Sequence, residues 1–233
     1  MKRFLIVALA LSAAAYALYK LNYPAYAWHQ KLTLAVDTPD GVRTGASVTE
    51  VEVILTPTGW PTATQLKVNR RGEAVVVDLG GSRFLFALLR GSGEGFARRV
   101  FRDQLADAPA DRAGGRTYGT KARALSKLCA TAPVPFDALP MLVTFGDIDD
   151  PTTVAPVDPD NLAASLGAGF ALRDVTLEIT DAPVTEGVVE GVLGWLDKLD
   201  GGMLDGRRNS TISAENPLAN ELSRGSFARD GSF

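Results

Sequence analysis

The chain has 233 residues, 46% hydrophobic and 22% charged. It is therefore long enough for one packed domain or two small ones, and its composition excludes a wholly disordered protein. A net charge of -3 lacks the broad positive field that nucleic acids attract, so nucleic acid is a poor candidate partner. With one cysteine, Cys129, and one histidine, His29, an intrachain disulfide and a multi-histidine zinc site are excluded, and any catalytic triad would have to use His29.

The N-terminal segment carries the clearest signal. Lys2 and Arg3 precede an uncharged apolar run over residues 4–19, the pattern of an export signal or a membrane anchor. In one interpretation a helix over residues 4–21 spans the membrane; in the other, signal peptidase cleaves after Ala27 and releases a soluble periplasmic domain. The anchor is favoured by aromatic residues suited to the far membrane interface, which are Tyr19, Tyr23, Tyr26 and Trp28.

Both interpretations carry the rest of the chain across the inner membrane into the periplasm, because the positive N-terminus stays cytoplasmic. We expect residues 1–27 to be the anchor or signal and residues 28–205 a single globular domain. Residues 206–233 are rich in Ser, Asn, Arg and Gly, which predicts a flexible polar tail. The layout resembles that of single-span envelope proteins.

The first half of the domain shows the alternation of β-strands. Residues 31–37 predict a strand, and Pro-Asp-Gly after it predicts a type I turn over residues 38–41. In the next strand the apolar residues move from even-numbered to odd-numbered positions near Thr49 and Glu50. A strand cannot change faces in this way without a bulge or break, so one is predicted there. A connector is predicted over residues 56–64. A meander of three short strands follows at residues 65–69, 73–79 and 83–89, with turns at 70–72 and 80–82.

Helical spacing dominates the second half of the domain. Helices are predicted over residues 96–106, 120–130, 161–166 and 186–199, and strands over 141–145 and 172–180. Asp160 is the expected N-cap of the third helix, and Cys129 is expected to be a small apolar residue of the second. The predicted fold is α+β: an antiparallel sheet from the N-terminal half, packed by helices mainly from the C-terminal half and preceded by one hydrophobic helix.

Charge is segregated along the chain. Residues 98–127 hold eight basic and three acidic side chains, whereas residues 137–205 hold fourteen acidic and two basic ones. Either the two parts neutralise each other in the fold, or an acidic surface binds a cation or a basic partner.

The densest acidic stretch is a candidate calcium site, because calcium takes oxygen ligands. An EF-hand is excluded, since Pro151 and Thr152 occupy the fifth and sixth positions of the loop. Turn and cap formation is the alternative role for these aspartates. The candidate ligands are Asp147, Asp149, Asp150, Asp158 and Asp160.

No motif specifies a reaction. The glycine-rich stretch at residues 91–95 lacks the Gly-Lys-Ser/Thr of a phosphate loop, so a flexible connector is the prediction. Three functional hypotheses remain. The first is a non-enzymatic membrane-anchored envelope protein whose domain contacts another envelope component. The second is an exported domain that binds a small molecule or calcium, and the third is an enzyme that uses carboxylates.

Overall fold

The computed structural model describes residues 2–58, 60–109, 119–199, 201–211 and 213–230. Within these residues ten strands form two antiparallel sheets, and five short α-helices follow the first five strands. The α+β prediction is therefore confirmed. A long N-terminal helix, α1 (Lys2–Asn22), precedes the first strand.

The larger sheet has six strands in the order β10-β3-β2-β1-β9-β6. The central strand alternates strictly, with even-numbered side chains from Trp28 to Thr38 buried and odd-numbered ones partly exposed. One face of this sheet is therefore core and the other is open and polar. Its strands are β1 (Ala25–Thr38), β2 (Gly41–Thr58), β3 (Trp60–Glu73), β6 (Thr131–Pro133), β9 (Ala171–Thr180) and β10 (Ala228–Asp230).

The first hairpin is more regular than the sequence indicates. The predicted turn at residues 38–41 joins β1 and β2, whose register runs unbroken from Thr38↔Gly41 to Ala25↔Ile54. The predicted bulge near Thr49 and Glu50 is therefore wrong. Val42 is 45% exposed. The sequence of β2 indicates a change of faces because Val42 is an apolar residue on the solvent face. The predicted connector at residues 56–64 is also wrong, because its described residues belong to β2 and β3, which pair with each other from Thr56↔Gln65 to Thr58↔Trp60.

The smaller sheet has four strands in the order β4-β5-β7-β8. The predicted turn at residues 80–82 joins β4 to β5, and Gly80, Gly81 and Ser82 have positive φ there. No turn forms at residues 70–72; the chain instead leaves the larger sheet after Glu73 and enters the smaller one at Val75. The single meander is thus wrong. The strands are β4 (Val75–Gly80), β5 (Arg83–Ala87), β7 (Leu142–Phe145) and β8 (Val154–Val157).

Three of the four helices predicted after α1 are shorter than their apolar spacing indicates, whereas the third forms at Leu162–Leu166, close to the predicted residues 161–166. The fourth predicted helix, for example, keeps α-helical geometry only to Val192 and continues as a 3-10 turn at Leu196–Lys198. Gly191 and Gly194 weaken helical propagation in this stretch. The N-cap of the third predicted helix is Asn161, and the prediction of Asp160 is wrong. The helices are α2 (Glu94–Val100), α3 (Thr120–Leu125), α4 (Leu162–Leu166), α5 (Val188–Val192) and α6 (Arg224–Phe227).

Two hydrophobic clusters lie on opposite faces of the smaller sheet. The first cluster fills the space between the sheets and takes Leu85 and Ala87 from β5. The second takes Phe86 and Leu88 from the same stretch and is covered by α5 and the C-terminal residues. The sheets approach closely at Gly45, where a Cβ would collide with the carbonyl oxygen of Val76. The domain is therefore a layered structure built around the smaller sheet.

The C-terminal residues depart most from expectation. The sequence predicts a flexible tail over residues 206–233, but Leu222 and Phe227 are fully buried in the second cluster. Strand β10 pairs with the end of β3, and the Ala74 N–H donates to the Phe227 carbonyl. Although this stretch is mostly polar, a few apolar residues within it pack into the second cluster and complete it. The structure therefore contradicts a flexible tail for residues 213–230, whereas the division into anchor and domain stays a prediction.

Candidate functional site

A groove of about 540 Å³ lies at the start of β1, where it runs beside the end of β9. It is the largest of the described cavities, and it contains both the histidine and the cysteine of the chain. Roughly equal polar and apolar surfaces suit it to a ligand or peptide of mixed character. The lining residues are Ala27, Trp28, His29, Ser126, Leu128, Cys129, Glu178, Ile179, Thr180, Asp181 and Ala182.

His29 stands on the polar face of the larger sheet, between Glu50 on β2 and Thr180 on β9. Its Nδ1 lies 2.7 Å from the carbonyl oxygen of Ala182. Since a carbonyl only accepts, Nδ1 carries the hydrogen. The other ring nitrogen, Nε2, lies 4.0 Å from a carboxylate oxygen of Glu50. The ring is thus oriented by one hydrogen bond, and its other nitrogen faces a carboxylate.

Cys129 is exposed. It lies beyond the last residue of α3, so the prediction of an apolar helical residue is wrong. The pairing Thr131↔Glu178 and the bond from the Ile179 N–H to Ala130 place Cys129 level with Thr180. Thr180 in turn pairs with His29. The cysteine and histidine backbones are thus two strand spacings apart, about 10 Å, which does not favour a hydrogen-bonded nucleophile–base pair.

A second polar cluster surrounds Arg224 on α6. Its guanidinium lies 2.8 Å from Glu190, 3.3 Å from Asp197 and 3.2 Å from Asp230. Partial burial and the neighbouring charge of Asp197 raise the pKa of Glu190. Burial alone lowers the pKa of Arg224, but its three carboxylate neighbours outweigh that effect and raise it. The cluster holds α6 against α5.

Beside this cluster, Glu73 is a buried carboxylate, 4% exposed. It accepts hydrogen bonds from the backbone N–H groups of Gly187, Val188 and Val189, at the start of α5. Ser47 donates to the carbonyl oxygen of the same residue. These contacts use both carboxylate oxygens to join β3 to α5, which gives Glu73 a structural role.

The structure places the predicted calcium ligands in surface turns. Asp147 accepts from the Asp149 N–H and Asp158 from the Asp160 N–H, each two residues along. Hydrogen bonds from the hydroxyl and N–H of Thr152 lower the pKa of Asp150. In the described ranges, no three His, Cys, Asp or Glu side chains converge as a metal site requires. The turn role is therefore observed for three of the aspartates, and calcium binding stays a prediction.

Sequence reasoning did not find the groove. Its walls come from residues 27–29, 126–129 and 178–182, which are far apart in the chain and share no motif. The only available signal was that the sole imidazole lies directly after the apolar segment. No protein-family model matches the chain, and no curated protein or solved structure matches it either.

Proposed function

We propose that this chain is a single-pass inner-membrane protein whose domain lies in the periplasm and binds another envelope component without catalysis. The observation that carries the proposal is α1. Residues Leu5–Asn22 are long and apolar enough to cross a membrane, and none of that window is buried against the protein. Leu9 is 70% exposed and Leu21 is 79% exposed. A helix with this much bare apolar surface needs a nonaqueous environment.

The start of the domain supports a retained anchor over a cleaved signal. Cleavage after Ala27 would remove Ala25, Tyr26 and Ala27, which pair with β2 as the first residues of β1. Tyr26 also packs against the first cluster. Trp28 is buried in that cluster, so the prediction that Trp28 lies at the membrane interface is wrong. Ala25, Tyr26 and Ala27 therefore belong to the fold, and their loss would shorten the central strand of the larger sheet.

The groove supports a binding role for the domain. It is open, mixed in polarity and bordered by the short edge strand β6 and the residues before it. Its histidine and its cysteine, His29 and Cys129, are held apart by strand β9. A surface of this kind suits recognition of a peptide or small polar molecule better than acid–base or nucleophilic chemistry.

The anchor is tested by the mass and fractionation of the protein expressed in its own host. We expect membrane-bound protein that still begins at Met1 or Lys2, and soluble protein when residues 2–22 are deleted. Soluble protein that begins at Trp28, after cleavage of the full-length chain, would overturn the anchor.

Orientation is tested with Cys129, the sole thiol and an exposed one. A membrane-impermeant maleimide should label it in intact spheroplasts, and a Cys129→Ser variant should give no signal. Labelling only after lysis of the inner membrane would place the domain in the cytoplasm. A crosslinker on the same thiol should then capture a membrane neighbour, and purification without any stable partner would count against the interaction role.

A further inference from the structure

The hairpin of β2 and β3 extends past the end of the larger sheet. The β1–β2 register ends at Ala25↔Ile54. The β2–β3 pairing goes on through Leu55↔Leu66 and Thr56↔Gln65 to Thr58↔Trp60. At roughly 3.4 Å per residue, residues 55–58 reach about 14 Å beyond the last pair with β1.

This overhang begins beside the end of α1. Only Tyr23 and Pro24 separate α1 from β1, and the Leu55 N–H donates to the Pro24 carbonyl oxygen at 3.2 Å. Because β1 runs away from α1, the overhang runs back toward the side of the domain from which α1 departs. The turn that joins β1 to β2, at Asp40, is separated from Ala25 by the full length of β1, about 45 Å.

The sequence of the overhang suits a membrane interface. Residues 53–66 read VILTPTGWPTATQL and contain no charged residue, in a chain that is 22% charged. The nearest charge after them is the basic Lys67. Trp60 belongs to the residue type that is enriched where lipid headgroups meet the acyl chains. Backbone pairing between β2 and β3 also satisfies many of the polar groups that entry into the interface would desolvate.

We infer that residues 56–58 and 60–65, which follow the buried Leu55, insert into the headgroup region of the bilayer that α1 spans. The inference rests on the proposed anchor. The domain is then held at two points, the end of α1 and the hairpin tip, and the strands of the larger sheet take a fixed direction relative to the membrane. His29, in the groove, lies three residue pairs along β1 from Tyr26, so this arrangement holds the groove close to the membrane surface.

The test is an environment-sensitive fluorophore on single cysteines of the full chain in a Cys129→Ser background. The protein is reconstituted in vesicles of phosphatidylcholine and phosphatidylglycerol. The emission of a fluorophore at Ala63→Cys should shift to the blue relative to the same fluorophore in aqueous buffer. Lipids brominated on the acyl chain near the headgroup should quench this emission about twofold or more. A label at Asp40→Cys, in the opposite turn, should show neither effect.

A second measurement uses the native tryptophans, Trp28, Trp60 and Trp195. Trp60→Phe should remove most of the quenching by brominated lipid, whereas Trp195→Phe should leave it in place, because Trp195 bonds to Ile148 within the domain. Equal signals at positions 63 and 40, with protein that floats with the vesicles, would overturn the hairpin inference and leave the anchor standing. Protein that does not float would overturn both.

Discussion

At the scale of single residues, Glu73 makes the sharpest energetic prediction. Its carboxylate is the acceptor for three backbone N–H groups at the start of α5. Replacing it with alanine leaves these donors without their partner in a buried site, so we expect Glu73→Ala to lower the free energy of unfolding by about 3 kcal/mol. Urea unfolding of the full chain in detergent measures the change.

The matched control for Glu73 is Glu186, whose side chain is 65% exposed and pairs with Arg71 at 3.4 Å. Surface pairs contribute little, so Glu186→Ala should change the free energy of unfolding by less than about 1 kcal/mol. Glu73→Gln keeps one carbonyl acceptor and should fall between the two. Equal stability of Glu73→Ala and Glu186→Ala would show that the three hydrogen bonds carry no net free energy.

Glu190 predicts a pH dependence. Burial, then the charge of Asp197, raises its pKa above the ordinary 4.5. The folded state therefore holds this proton more tightly than the unfolded state. Its contribution to stability is greatest in acid and declines as pH rises from the ordinary pKa through the raised one. Over that window, wild-type Tm should fall relative to the Tm of Glu190→Gln, which has no proton to lose.

Asp197→Asn tests the cause of this pH dependence. It removes the neighbouring negative charge that raises the pKa of Glu190, so the relative fall in Tm with pH should become smaller. Parallel Tm curves for wild type and Glu190→Gln across the window would contradict the raised pKa.

At the scale of elements, the C-terminal segment is part of the core. The Phe227 ring lies 5.9 Å from the ring of Phe86 and 6.0 Å from that of Phe145, between centroids. Removing a fully buried ring leaves a cavity, so Phe227→Ala should cost about 3–5 kcal/mol of unfolding free energy in thermal or urea unfolding. Phe136→Ala is the control, because that ring is 57% exposed, and it should cost less than about 0.5 kcal/mol. Equal costs would mean that α6 does not pack as described.

Strand prediction succeeded where one face of the strand is buried and the other is not. Residues 31–37 and 172–180 lie within β1 and β9. Burial alternates throughout the first stretch, and in the second from Val175 onward, after a register irregularity opposite Ala35 and Val36. Helix lengths were overestimated because apolar spacing measures which residues face a core and not how far the backbone hydrogen bonds continue. The C-terminal segment was wrongly predicted to be flexible because its overall composition is polar. Four buried apolar residues hold it in the core: Ala219, Leu222, Phe227 and Ala228.

At the scale of the whole molecule, the two hydrophobic clusters share the smaller sheet, which joins them into one structural unit. We expect them to unfold together. Trp28 belongs to the first cluster and Trp195 packs against the second, so each can report on its own side in a Trp60→Phe background. Emission from variants that keep only one of these tryptophans should give the same midpoint as far-ultraviolet circular dichroism. Separate midpoints would show that the clusters are independent.

By itself the sequence determined the α+β class, the long apolar N-terminal helix, the turns at residues 38–41 and 80–82, and the strands with clean alternation. These features depend on neighbours a few residues apart, and local patterns record them. Three features emerge only in the folded chain. The strands divide into two sheets, the C-terminal residues close the second cluster, and His29 and Cys129 border one groove. Each of these depends on contacts between distant parts of the chain, which a single sequence does not encode in any local period.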